Sequence, residues 1–295
     1  ADEYAQLRER ESIVPAAYAA ADLRISPSRF LRQKLIDDPV GKPVFDPHTF
    51  LFSDNGMRTD HVEALEKTAS DVVRFGFVGS LVWYKGGETM IKAMAELAPD
   101  AKAELNIYGG FDPVGDDHHK KLKRLAQSYS AKVNFRGRFD NSKLSEVYAE
   151  IDVLVVPSVW FENSPITIHE AYLTETPVLA SDLGGMAEFV TDGKDGLLFE
   201  VGNPVDLAAK MRRFVREPDL ARELVARHFL MPACPPPEPE PPTPEPTGGL
   251  EVEVVAQPAP EPLPPLPPPP KKGVLGAFER MPGGIPALTR SNGAR

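Results

Sequence analysis

Cysteine is nearly missing from this 295-residue chain, which holds only Cys234. One thiol makes no internal disulfide and no multi-cysteine zinc site, the pattern expected of a reducing, cytoplasmic setting. No apolar run is long enough to span a bilayer, and residues 1–22 read as charged helix rather than as a secretory signal. Positive charge is also short: 33 Lys and Arg stand against 43 Asp and Glu, a formal net charge of -10. Nucleic-acid binding needs clustered cations on phosphates, so the balance argues against that partner class. A phosphate ligand in one locally cationic pocket is not excluded.

What the chain has in excess is proline, 32 in all, of which twenty follow Met231. Residues 231–295 lose hydrophobic periodicity, and 235–270 alternate Pro with Glu. Such a stretch cannot bury enough apolar surface to offset its ordering entropy, so it is expected to be a disordered tail with polyproline character. Its PxxP spacings also suit a partner motif, but composition favours a solvated linker.

Between about 72 and 230 the chain alternates short β-rich runs with helical patterns, the signature of an α/β doubly wound parallel sheet. Residues 72–78 and 152–156 are near-continuous apolar runs, as strands covered on both faces require. Met90, Ile91, Met94 and Leu97 recur at helical spacing, as do Leu122, Leu125, Ala126 and Tyr129. Asn203-Pro204 opens a further helix, with Asn as N-cap and Pro at its first position. Before this domain, residues 22–35 read as strand, turn and helix, with Ser26-Pro27-Ser28 at the junction.

Two places carry chemistry. The loop 79–87 (G-S-L-V-W-Y-K-G-G) joins a strand to a helix, so backbone N–H groups and the positive helix end converge there, with Lys85 adding a formal charge. That combination suits a diphosphate, and turn glycines beside a solvated Lys85 fit the residues equally well. Neither GxxxxGK[ST] nor GxGxxG is present, which removes the main support for a P-loop enzyme or a dinucleotide oxidoreductase. The second place is V-V-P-S, then Trp160-Phe161-Glu162-Asn163-Ser164-Pro165, then a helix with Glu170. On a continuous helix, Glu162 and Glu170 would lie roughly 80° apart around the axis and about 12 Å along it. Carboxylates so placed suit a hydroxyl-rich ligand; the alternative is a loop charge and a solvated helix position. His118 and His119 read as a solvated pair at a helix start, His169 beside Glu170 as a structural residue ahead of a site contact, and no Ser-His-Asp arrangement follows from spacing.

Glu-x7-Glu in E-N-S-P-I-T-I-H-E-A, directly after V-V-P-S, resembles the pattern of family 4 (group 1) glycosyltransferases of the GT-B fold. F-G-F-V-G-S-L-x-x-x-K-G-G, V-N-F-R-G-R-F and P-V-L-A-S-D-L-G-G-M-A-E-F-V-T-D-G-K-D-G-L-L-F resemble its other donor-domain motifs, in the family's order, over about 72–229. The resemblance implies a retaining transfer of a sugar from a nucleotide-diphosphate donor to a glycan or glycolipid acceptor, as in cell-surface polysaccharide biosynthesis. It implies that Lys85, with Gly79, Ser80 and Gly86 in its loop, meets the diphosphate. Glu162 would lie by the transferred sugar and Glu170 on the ribose. Backbone around Arg138 and Phe139 would face the base, and Asn163, Ser164 and Pro165 the sugar-phosphate end. Many members carry Arg where this chain has Ser80, which leaves more to Lys85. No metal and no cofactor are implied.

A GT-B enzyme also has an acceptor domain before the donor domain. A-D-L-R-I-S-P-S-R-F-L, from Ala21, resembles only that domain's last strand and helix, and L-F-S-D-N-G-M, from Leu51, the interdomain connection. Residues 1–71 are therefore expected to be a remnant of the acceptor half, 72–230 the donor domain and 231–295 the tail. Most of the acceptor half, with any peripheral contact at the inner face of the membrane, would be missing. Two other readings remain open: a non-catalytic nucleotide-sugar-binding module, and another GT-B enzyme such as an epimerase or phosphorylase.

Overall fold

In the computed structural model, residues 13–15, 17–38, 45–110, 118–129 and 131–230 are described. The expected tail, Cys234 and most of the expected opening helix lie outside them, although 13–15 and 17–19 are helical. The chain divides into two units, Ala1–Pro236 and Pro237–Arg295, and every described residue belongs to the first.

The apolar runs form strands β3 (Val73–Val78), β4 (Ala103–Tyr108), β5 (Val133–Gly137), β6 (Val153–Val156), β7 (Val178–Ser181) and β8 (Gly196–Phe199). All pair in parallel, in the order β5-β4-β3-β6-β7-β8. Because side chains alternate across a strand, β6 feeds two cores: Val153 and Val155 face one, Leu154 and Val156 the other. The first core is closed by helices α2 (Gly87–Ala95), α3 (His118–Ser128), α7 (Pro204–Arg216) and α8 (Leu220–Leu230). The second is closed by α4 (Leu144–Ala149), α5 (Ile166–Leu173) and α6 (Gly184–Phe189). A sheet covered on both faces by crossover helices is the doubly wound architecture that the sequence pattern predicts. Asn203 caps α7 as expected, its side chain accepting from the amides of Val205 and Asp206. One expectation is corrected. His118 is buried, at 9% exposure, because it opens α3 on the helix's core-facing side with Leu122 and Ala126.

Ahead of this sheet, β1 (Arg24–Ser26) pairs in parallel with β2 (Phe50–Phe52), and α1 (Arg29–Asp37) lies between them in sequence. Ser28 caps α1 by accepting from the Leu31 amide at 3.1 Å. The first amides of α1 also donate to the Glu188 carboxylate of α6, from Arg29 at 3.0 Å and Phe30 at 2.9 Å. No described helix is long and apolar enough to cross a membrane.

Residues 62–68 bind along α4. The Glu63 amide donates to Ser145 Oγ at 3.0 Å, and Lys67 Nζ donates to the Tyr148 carbonyl at 3.0 Å and to Thr176 Oγ1 at 2.6 Å. Lys67 also reaches the Thr174 carbonyl, so it serves the carbonyl ends of α4 and α5, where a cation is favoured. Burial pushes its ammonium down to about 8; the charge of Arg74 adds to this, while Asp152 and Glu175 oppose it. Between about 8 and the ordinary 10.5 the unfolded chain holds a proton that the folded chain has released, so folding stability rises with pH there. Urea unfolding from pH 8 to 10 is expected to show a Lys67-dependent gain of about 2 to 3 kcal/mol. The gain is read as the difference in slope between the native chain and Lys67→Met, which cancels the tyrosines common to both.

Candidate functional site

The sheet's order reverses between β3 and β6: β4 and β5 lie beyond β3, and β7 and β8 beyond β6. In open α/β sheets ligands bind outside the carboxyl ends of the strands at such a point. The loops that leave β3 and β6 meet there. The first contains a 3-10 turn, Trp83–Lys85, and then Gly86 at φ 74. A Cβ on Gly86 would lie 1.9 Å from the carbonyl oxygen of Pro157, which ends the β6 run. Only glycine lets the two loops approach this closely in a left-handed conformation. The contact is tied by the Val159 amide, which donates to the Tyr84 carbonyl at 2.8 Å.

Across this crossing Lys85 Nζ donates to Glu162 Oε1 at 2.7 Å. Ser158 Oγ lies 2.8 Å from the same carboxylate oxygen and 3.0 Å from the Tyr84 carbonyl. The Lys85 and Glu162 side chains are 31% and 16% exposed, so both are accessible but oriented. Glu170 stands further along on α5. Its Oε2 accepts from the Tyr148 hydroxyl at 3.2 Å. Burial pushes the Glu170 carboxyl above its ordinary value, against the hydrogen bond from Tyr148 and the charge of His61. At the end of β5, Arg138 packs over Gly110, whose added Cβ would lie 2.0 Å from Arg138 Nε. Phe139 meets the Tyr108 ring edge-on at 6.2 Å. Two carboxylates, one ammonium and exposed loop backbone at a switch point can bind an extended ligand that carries both phosphate and hydroxyl groups.

Residues 63–228 match the family model described as glycosyl transferases group 1. The chain belongs to that family. It is similar to the D-inositol 3-phosphate glycosyltransferase of Corynebacterium jeikeium, 33% identical over 150 residues, 49% of this chain and 36% of the relative. It is also similar to the alpha-maltose-1-phosphate synthase of Mycolicibacterium smegmatis, 29% identical over 225 residues, 70% of this chain and 57% of the relative. Among solved structures, sucrose-phosphate synthase from Thermosynechococcus elongatus superposes with a TM-score of 0.65 at 26% identity, covering 75% of this chain and 55% of that one. Anabaena HepE, solved with UDP-glucose, superposes with a TM-score of 0.63 at 19% identity, covering 74% and 61%, and speaks for the fold alone. The fold is thus a Rossmann-like half of a GT-B glycosyltransferase. The chain spans only 36% to 57% of the length of these two relatives.

The structure brings Lys85, Gly86 and Glu162 together, with Gly79 and the exposed Ser80 at the start of the same loop. Arg138 and Phe139 lie at the neighbouring end of β5. The continuous helix from Glu162 to Glu170 is not formed: α5 begins at Ile166, after Pro165 as its N-cap. Proline has no N–H to donate, and residues 162–164 are held by another element instead. Asn163 is exposed, whereas Ser164 and Pro165 are buried. Ser164 Oγ donates to Asp54 Oδ1 at 2.6 Å and lies 3.2 Å from His169 Nε2. His169 Nε2 is also 3.5 Å from Asp54 Oδ2. One imidazole nitrogen faces both partners, so the cluster is no nucleophile–base–carboxylate relay, where the carboxylate holds the other nitrogen. It fixes the connection around Asp54 to the start of α5.

Sequence reasoning passed over Tyr148 and Ser158. Tyr148 reads as one more core residue beside Leu144 and Val147, and only the fold turns its hydroxyl toward Glu170. Among the described residues, no group of three His, Cys, Asp or Glu stands together to hold a metal ion.

Proposed function

We propose that this chain carries the donor site of a retaining glycosyltransferase that moves a sugar from a nucleotide-diphosphate donor to a glycan or glycolipid acceptor. The observation that carries the reading is the meeting of Lys85 and Glu162 across the switch point, with Glu170 on the next helix. Lys85 binds the diphosphate and, with the β3-loop amides of Gly79, Ser80 and Gly86, stabilises the charge that grows on it as the sugar departs. Its present pairing with Glu162 is a part-exposed ion pair worth at most about 1 kcal/mol, which a diphosphate outbids readily. Glu162 then accepts hydrogen bonds from the transferred sugar. Glu170, one oxygen held by Tyr148, offers the other to the ribose hydroxyls. Backbone around Arg138 and Phe139 faces the base, and the backbone of Asn163, Ser164 and Pro165 the sugar-phosphate end. The chemistry calls for no metal and no cofactor. We place the enzyme in the cytoplasm, with peripheral membrane contact through an acceptor half.

Calorimetric titration of the full chain with UDP, GDP and ADP tests the donor site. One nucleotide is expected to bind saturably and about tenfold more weakly to Glu170→Ala, the loss of a charge-assisted hydrogen bond. A folded chain that binds none of the three overturns the reading. The same titration has a pH signature. Ribose hydroxyls donate better to the ionised carboxylate, and burial lifts the pH at which Glu170 takes up its proton. Affinity is therefore expected to fall on acidification before an ordinary glutamate, near about 4.3, would titrate. Glu170→Gln flattens that dependence.

A further inference from the structure

The two loops that form the site repeat one pattern: Trp83-Tyr84-Lys85 on the first and Trp160-Phe161-Glu162 on the second. The charged ends of the two tripeptides meet at 2.7 Å. Their aromatic beginnings do not enter the core. Trp83 is 63% exposed, Trp160 57% and Phe161 46%. These are the only two tryptophans in the chain, and indole is among the most costly side chains to leave in water. The loops are tied by the Val159–Tyr84 backbone hydrogen bond, in which each partner is the chain neighbour of a tryptophan. Each indole is braced by the following ring, Trp83 by Tyr84 edge-on at 5.6 Å and Trp160 by Phe161 at 6.4 Å. Phe161 in turn stacks on Phe30 of α1 at 5.2 Å. The exposed rings are thus held in place at the rim of the Lys85–Glu162 pair.

We propose that Trp83 and Trp160 form an acceptor subsite beside the donor site, taking the pyranose ring that receives the transferred sugar. This rests on the donor-site reading, because it is the position of the transferred sugar at Glu162 that makes the indoles the next surface outward. A pyranose presents C–H groups on one face and hydroxyls around its edge. Its C–H face packs on an indole, whose π cloud is electron-rich, while its edge stays free for hydrogen bonds and attack. Exposed indoles two residues from each partner of a polar pair mark a place where a ligand is bound.

With both tryptophans at the site, intrinsic fluorescence of the full chain reports on it directly. Iodide quenching is measured with and without maltose, methyl α-glucoside, methyl α-mannoside and N-acetylglucosamine, in the presence of the nucleotide that binds. At least one saccharide is expected to shift the emission to the blue and shield the indoles from iodide. Trp83→Phe and Trp160→Phe, each leaving one reporter, are expected to keep the effect. Trp160→Ala is expected to weaken saccharide binding about tenfold, the worth of one aromatic contact, with nucleotide affinity unchanged. If the nucleotide binds but no saccharide shields either indole, this inference falls and the donor site stands. If phosphatidylglycerol vesicles alone give the shielding, the surface is a membrane contact and the inference also falls. If a saccharide shields the indoles but no nucleotide binds, the surface holds sugar, but the donor reading fails and the acceptor assignment falls with it.

Discussion

Lys85→Ala is expected to lower kcat/KM for breakdown of the nucleotide sugar by about 10²- to 10³-fold, the loss that follows removal of one preorganised group that stabilises developing charge. The folded chain should scarcely notice. Lys85 is about one-third exposed and its ion-pair partner is a single loop carboxylate, so its contribution to stability is at most about 1 kcal/mol. In the loop 79–87 it is the only formal cation. No neighbouring charge on that loop can take over when diphosphate leaves. Lys85→Arg, which restores a cation with a wider fork, is expected to recover part of the rate. Steady-state turnover, read beside thermal melting of each variant, checks both statements. Near-native turnover by Lys85→Ala would remove this residue from the chemistry.

The positions of these groups were unevenly legible. Strands β3 and β6 announce themselves as unbroken apolar runs, because a strand covered on both faces has no polar side to show. The helices announce themselves by 3.6-residue periodicity, and α7 by an Asn-Pro start that the structure keeps. What a sequence does not display is which strands become neighbours. The reversal between β3 and β6, which brings Lys85 to Glu162 across 77 positions, is a property of pairing. The Glu162–Glu170 spacing shows the same limit from the other side. Eight residues of helix would relate the two carboxylates by geometry alone, but Pro165 ends the regular backbone and the loop before it takes its shape from α6. Tyr148 and Asp54 act through contacts 22 and 110 positions away, and a local pattern cannot report those. His118 is hidden for a nearer reason: its charged neighbours mask the one helical face that turns inward.

The dependence of the Glu162 loop on α6 makes Gly185→Ala the sharpest probe of how fold and site are coupled. The Gly185 amide donates to the Glu162 carbonyl at 2.8 Å. A Cβ added at Gly185 would lie 1.8 Å from the Asn163 carbonyl oxygen and 2.7 Å from that of Glu162. All of these are backbone atoms, so no rotamer change relieves the overlap, and the loop must retreat by more than an ångström. Displacements of that size at a catalytic group cost about 10²-fold in rate, and that loss is expected in kcat. Glu170 is anchored separately, on α5, by Tyr148 from α4 and by packing of Ile168 and Ala171 in the second core. The ribose contact at Glu170 should therefore survive, so nucleotide affinity is expected to fall much less than kcat, and the binding that remains shows that the variant has folded. Gly56→Ala is the matched control, since nothing lies within 4 Å of a Cβ added there, and it is expected to leave turnover, nucleotide affinity and melting unchanged. Native turnover by Gly185→Ala would mean that Glu162 tolerates displacement, and so that it does not hold the transferred sugar.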